Sequence, residues 1–428
     1  MLASSTILLF SIWQAATAAG HVIQRDFDDS LLPSNDTDNS TEPIRGDYTW
    51  TPTCKLPSPK GFQSPMGFDF PKGCVSATGT VNAFMIFVDF PDAEDDRSPQ
   101  AMHDSLVPEA VEWYAQASYN TLKLNVTADT SGYYRMPNAA ASYGWMAGGF
   151  WQDNYLNDAL DIFTANGTRS PPEADILYVV PTGRAADHIA RSMARYDPIS
   201  TRHGKKVTFK KAVTFGAADW DLVPMSVVHE TGHAFCLSDY YGFDGYLGRY
   251  VGEFGVMAQH QGIAPDFFAW DKYRLGWMSD SAVDCVLEAG STEHVLTPLA
   301  WNIPGKKAVV IAGSEIAALV AEVRIAAGVD MRACAPGVLL YTVETRENPG
   351  PIRIVDATPG SMGCPGHLDD LNDATLSLTK EGSESLAPAP VSSFDVPGWN
   401  LTVTLLSVKD QEYTIRVDRQ TGARTDSW

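Results

Sequence analysis

Two histidines four positions apart, His229 and His233, stand with Glu230 between them inside the run Val227-Val228-His229-Glu230-Thr231-Gly232-His233-Ala234-Phe235-Cys236-Leu237-Ser238-Asp239. If this run is helical, both imidazoles lie on one face a turn apart, and both can reach a single ion at the zinc-to-nitrogen distance of about 2.0–2.1 Å. Glu230 then sits beside the ion without being a ligand, where a carboxylate serves as general base on a water molecule. The competing reading is two unrelated core or surface histidines. With only 9 histidines in 428 residues, a chance His-Glu-x-x-His is on the order of one in a hundred. The chemistry implied is zinc-assisted hydrolysis, with Glu230 moving a proton from water to the leaving amine of a peptide.

A catalytic zinc takes a third protein ligand. Asp239, ten residues after His229, matches the spacing of the extended HExxHxxGxxH-type sites. Cys236 stands where that pattern has glycine, so a turn that demands positive φ would be strained, and a different local turn is expected. Glu253, twenty residues beyond His233, is the alternative ligand, but Gly252-Glu253-Phe254-Gly255 lacks helical character. Phe254 to Gln259 holds Met257 where a methionine-containing turn would floor such a site. Tyr240, Tyr241 and His260 are the candidates for stabilising an oxyanion.

The elements that must position these residues follow from pattern. Pro224 suits the first turn of the metal-binding helix, with Met225, Val228 and Phe235 facing inward. Ala83 to Phe90 reads as a strand buried on both faces, and Asp175 to Val180 as another. Helices are predicted over Pro108 to Ala117 and Asn154 to Asn166, with short strands at Leu122 to Val126 and around Tyr133-Tyr134. After Cys285 the texture becomes strand-like at 308–312, 319–325, 338–343, 401–408 and 413–417. The expected architecture is an α/β (α+β) zinc-metallopeptidase catalytic domain over 76–285, followed by an antiparallel β domain over 286–428.

The combined pattern resembles the immune inhibitor A-like family of secreted zinc metallopeptidases. The matching blocks are FMIFVDFPD at 84–92, ASYNTLKLNV at 117–126, HETGHAFCLSDYY at 229–241, FGVM at 254–257 and WDKYRLGW at 270–277. The HExxH and LxD core is the specific part. The resemblance implies zinc bound by His229, His233 and Asp239, a methionine turn at Met257, and a following β-rich region in which PGVLLYTVE at 336–344 has a fitting position. It also implies calcium in some members, for which the acidic loop Asp239 to Asp244 is the candidate.

Residues 2–18 form an apolar stretch ending in Ala16-Thr17-Ala18, read as a signal peptide over 1–18. Residues 19–75 are predicted to be a disordered or pro-like lead segment, with loop between Lys55 and Gly73. Asn-x-Ser/Thr acceptors at Asn35, Asn39, Asn125, Asn166 and Asn400 and six cysteines agree with export. The nearest pairings are Cys54 with Cys74 and Cys334 with Cys364, leaving Cys236 with Cys285 or free. A net charge of −21 argues against nucleic acid or anionic membrane as partner, and no later window forms a membrane span. The sequence therefore points to a secreted endopeptidase acting on protein or peptide. The alternatives are an inactive peptidase-like binding protein and a zinc hydrolase of other bonds.

Overall fold

In the stretch Gly79–Asp89 (β1), side chains alternate between two hydrophobic cores, because successive residues of a strand point to opposite faces. Val81, Ala83, Met85 and Phe87 enter one core, and Phe84, Ile86 and Val88 enter the other. The strand expected at 83–90 is therefore buried on both sides. The computed structural model describes residues 52–61, 64–95, 97–144 and 151–421. The signal peptide, the first part of the lead segment and the acceptors at Asn35 and Asn39 lie outside the described residues.

After β1 come α1 (Pro99–Ala117), β2 (Leu122–Ala128), β3 (Tyr134–Arg135), α2 (Gln152–Phe163) and β4 (Ile176–Pro181). Four short strands follow: β5 (Met193–Arg195), β6 (Ile199–Ser200), β7 (Thr208–Phe209) and β8 (Lys211–Thr214). The main sheet has the order β2-β1-β4-β8-β5, with β3 also beside β1; all its pairings are parallel except that of β5 with β8. Helix α1 and the metal-motif helix α3 (Pro224–Ala234) contribute Leu106, Ala110, Tyr114, Val227 and Val228 to the first core. Helix α2 fills the second with Tyr155, Leu156, Ala159 and Phe163. Helix α1 begins nine residues before its expected start at Pro108, which lies inside the helix with its ring exposed.

The chain continues through α4 (Ala269–Arg274) and the strands β9 (Val283–Val286), β10 (Gly290–Leu296), β11 (Ala308–Ala312), β12 (Ala317–Arg324), β13 (Gly337–Glu344), β14 (Ile352–Ile354), β15 (Ser393–Val396), β16 (Leu401–Lys409) and β17 (Glu412–Arg419). They form two largely antiparallel sheets, β14-β13-β12-β11-β9 and β10-β17-β16-β15; only β9 and β11 run parallel. The five-stranded sheet is the middle layer. Val310, Ala318 and Val320 face the core that also holds α3, while Val309, Ile311 and Leu319 face Val403, Ile415 and Val417 of the four-stranded sheet. The boundary placed at 285/286 falls within β9, and one core runs across it.

Two expectations need correction. Residues 52–61 and 64–75 form a loop, as their proline and glycine content suggests, but not a loose one. Leu56 and Met66 are buried, and Trp270 Nε1 donates to Met66 O at 2.8 Å. The disulfides are Cys54–Cys285, Cys74–Cys236 and Cys334–Cys364. Only the last follows sequence proximity. The first two fasten the lead loop to the body of the protein, and tertiary folding rather than chain separation brings those thiols together.

Candidate metal centre

Helix α3 starts at Pro224, whose missing N–H leaves nothing unsatisfied in a first turn. It ends in a two-bond cap: Leu237 N–H donates to Gly232 O at 3.1 Å and Cys236 N–H to His233 O at 2.8 Å. Such a cap puts its C′ residue in the left-handed region, and Cys236 sits there with φ of 65°. The expected change of turn does not occur. Cysteine adopts the glycine conformation, and its sulfur is bonded to Cys74.

That turn carries the chain back over the helix. Leu237 O accepts from His233 Nδ1 at 2.8 Å, and Val256 O accepts from His229 Nδ1 at 2.8 Å. Each ring thus spends Nδ1 on a carbonyl, which leaves Nε2 as the inward atom. Asp239 Oδ1 lies 3.1 Å from His229 Nε2 and 3.2 Å from His233 Nε2. A tetrahedral zinc with bonds near 2.0–2.1 Å has ligand-to-ligand edges of roughly 3.3 Å, so the donor set is almost at the required spacing. No second cluster of this kind occurs among the described residues.

Asp239 is held from both sides. Ser238 Oγ donates to Ser64 O at 2.9 Å, Tyr240 N–H to Met257 O at 2.9 Å and Tyr240 Oη to Asp271 Oδ1 at 2.8 Å. Burial alone would raise the Asp239 carboxyl, but the charge of the two histidines holds it far below the usual carboxylate range. Burial likewise acts to lower both histidines, and Asp239 outweighs it, so both are raised. Glu230 is buried next to them and raised chiefly by desolvation.

Two buried carboxylate oxygens have no hydrogen-bond donor aligned on them: Glu230 Oε2, and Asp239 Oδ1 despite its proximity to both Nε2 atoms. Buried polar atoms are rarely left this way without an ion or water to satisfy them. A cation between the three ligands with a water against Glu230 would satisfy both. The residues therefore fit a bound zinc.

Met257 forms the floor. It is fully buried, and a Cβ at Gly232 would come within 2.5 Å of its sulfur. Glu253, the alternative ligand, is turned away; it contacts His367 Nδ1 at 2.9 Å and accepts from Asn372 Nδ2 at 3.0 Å. Tyr240 is committed to Asp271. Tyr241 stacks on His229 with ring centroids 6.5 Å apart, and the His260 ring lies 6.1 Å from that of His229. Asp244, of the loop suggested for calcium, pairs with Arg249.

Three contributors escape the sequence reading. Tyr196 places its hydroxyl 3.2 Å from His233 Nδ1, yet lies 37 residues upstream with no motif to flag it. Gly232 is inside the motif at a position the pattern leaves free. Asp271, which orients Tyr240, sits in the WDKYRLGW block without a legible role. Neither a family model nor a curated protein matches the chain.

Proposed function

We propose that the protein is a secreted zinc-dependent endopeptidase, with zinc held by His229, His233 and Asp239 and Glu230 as general base. The observation that carries this reading is the convergence of two Nε2 atoms on Asp239 Oδ1 beside a buried Glu230 oxygen that lacks a donor. Secretion rests on the apolar N-terminal stretch, on the three disulfides and on the exposed acceptors Asn125, Asn166 and Asn400. No helix among the described residues is long and apolar enough to cross a membrane.

A zinc ion in this site supplies Lewis acidity to a scissile carbonyl and to a water molecule. The chain supplies the rest. Val256 O and Leu237 O fix the imidazole tautomers, so that both Nε2 lone pairs point inward. Glu230 is buried beside the metal ligands with one carboxylate oxygen free of a donor; it takes the water's proton and returns it to the leaving amine. Tyr241 lies beside His229 and is the remaining candidate to donate to a developing oxyanion, because neutral His260 spends its one N–H on Trp220 O at 2.8 Å.

The test is casein or gelatin cleavage by the secreted protein, with and without a zinc chelator, alongside Glu230→Gln. Cleavage lost on chelation, restored by zinc, and reduced at least ~100-fold in the variant supports the proposal. Stoichiometric zinc with no cleavage would favour a peptidase-like binding protein instead.

A further inference from the structure

Next to the metal cluster, on the His260 side, a cavity of about 490 Å³ opens between α1, the first turn of α3 and the turn at 328–332. Its wall includes Glu109, Glu112, Trp113, Met225, His260 and Met331. The first three lie three and four positions apart on α1, so they form one stripe along the face that borders the cavity. Glu109 and Glu112 are exposed, and neither makes an ion pair among the described residues. Trp113, one turn after Glu109, is only 7% exposed, and its indole N–H has no acceptor among the described residues.

Two carboxylates without an ion-pair partner among the described residues, an indole next to them on the same helix and two methionines in the same wall match one kind of guest. We propose that this cavity is a specificity subsite for a lysine or arginine side chain of the peptide substrate, close to the scissile bond; the inference rests on the peptidase reading. The aliphatic stem of the guest lies along Trp113 and Met225, its charged head reaches Glu109 and Glu112, and the indole face adds a cation–π contact. The volume is in the range of pockets that enclose small ligands. Arg332 also borders the cavity, but its guanidinium donates to Gln261 O at 2.9 Å and Gly262 O at 2.6 Å, and two carboxylates outnumber its one positive charge. An acidic side chain is repelled both here and by the net charge of −21.

The experiment uses zinc-loaded secreted protein and fluorogenic peptides carrying lysine, leucine or glutamate at one position at a time around the cleaved bond. Lysine is expected to exceed glutamate in kcat/KM by roughly 10-fold or more at a single position. In Glu109→Lys/Glu112→Lys that preference reverses, and a thermal melt by circular dichroism that matches the wild type shows that the variant is folded. A wild type without charge preference at any position, or a preference the double variant leaves intact, overturns the subsite and leaves the peptidase reading standing. Failure to cleave any peptide, leucine included, overturns both.

Discussion

At the scale of single residues, Cys236 shows how the motif's departure from glycine is accommodated. A non-glycine residue in the left-handed region costs roughly 1–2 kcal/mol. The bond to Cys74 closes a loop of 162 residues, for which chain entropy predicts about 5 kcal/mol of stabilisation. The cross-link thus outweighs the strain. Of the two double variants without the disulfide, Cys74→Ser/Cys236→Gly should be more stable than Cys74→Ser/Cys236→Ser by about 1 kcal/mol, because glycine occupies φ of 65° freely. Urea melts of the two would show it, and equal midpoints would mean that the turn is rebuilt.

The histidines set a second residue-scale prediction. Burial lowers them and Asp239 raises them by more. In the metal-free protein that contribution is fully present below the unfolded histidine pKa of about 6.5 and is lost as pH rises through the raised folded values. Zinc needs both imidazoles neutral, so its affinity rises with pH, by up to ~100-fold per unit while both are protonated. The gap between zinc-loaded and chelated urea midpoints should therefore widen from pH 6 to pH 8. A constant gap would show that the histidines do not bind the metal. The two histidines, Glu230 and Asp239 were legible because their spacing is short and local. Tyr196 was not, because a tertiary contact alone brings it to His233.

At the scale of elements, α3 works only over its floor. Met257 packs against Gly232, and the loop that carries it also supplies Val256 O to His229 and Met257 O to Tyr240. Met257→Ala should cost about 2–5 kcal/mol through the cavity it leaves, and Met257→Leu less than ~1.5. Urea midpoints decide this; a loss below ~1 kcal/mol for alanine would mean that the floor is not close-packed. β1, β4 and α3 could be read from the sequence because long apolar runs and a four-residue histidine spacing leave little choice. The short strands β5 to β8 carry two to four residues each, too few for periodicity to register. Residues 52–75 misled for a different reason: composition signals loop, but nothing local signals that Trp270, Arg274 and two disulfides hold the loop down.

At the scale of the whole molecule, a buried charge network joins the segment after the metal site to the C-terminal sheets. Lys272 Nζ pairs with Asp266 at 2.6 Å, and Arg324 pairs with Glu322 at 2.6 Å and Asp330 at 2.7 Å, all without side-chain exposure. Glu322 also accepts from the backbone N–H of Ala269 at 2.7 Å, where α4 begins, and from Tyr341 Oη at 2.8 Å. Removing one partner of such a network leaves an uncompensated buried charge, so Arg324→Leu should cost about 3–5 kcal/mol. Ending the chain at residue 285 removes Glu322, Arg324 and Asp330 together and uncovers one side of the shared core. Residues 52–285 expressed alone should therefore show no cooperative melt by circular dichroism; a sharp transition would mean that this part folds without the β sheets that follow it.

The proposed activity depends on one ion in one place. Crystals of the secreted protein, measured on both sides of the zinc absorption edge, would locate it directly. The predicted result is a single anomalous peak within about 2.0–2.2 Å of His229 Nε2, His233 Nε2 and an Asp239 carboxylate oxygen, with Glu230 outside bonding distance. A zinc-replete crystal with no peak there, or with Glu253 in place of Asp239, would contradict it.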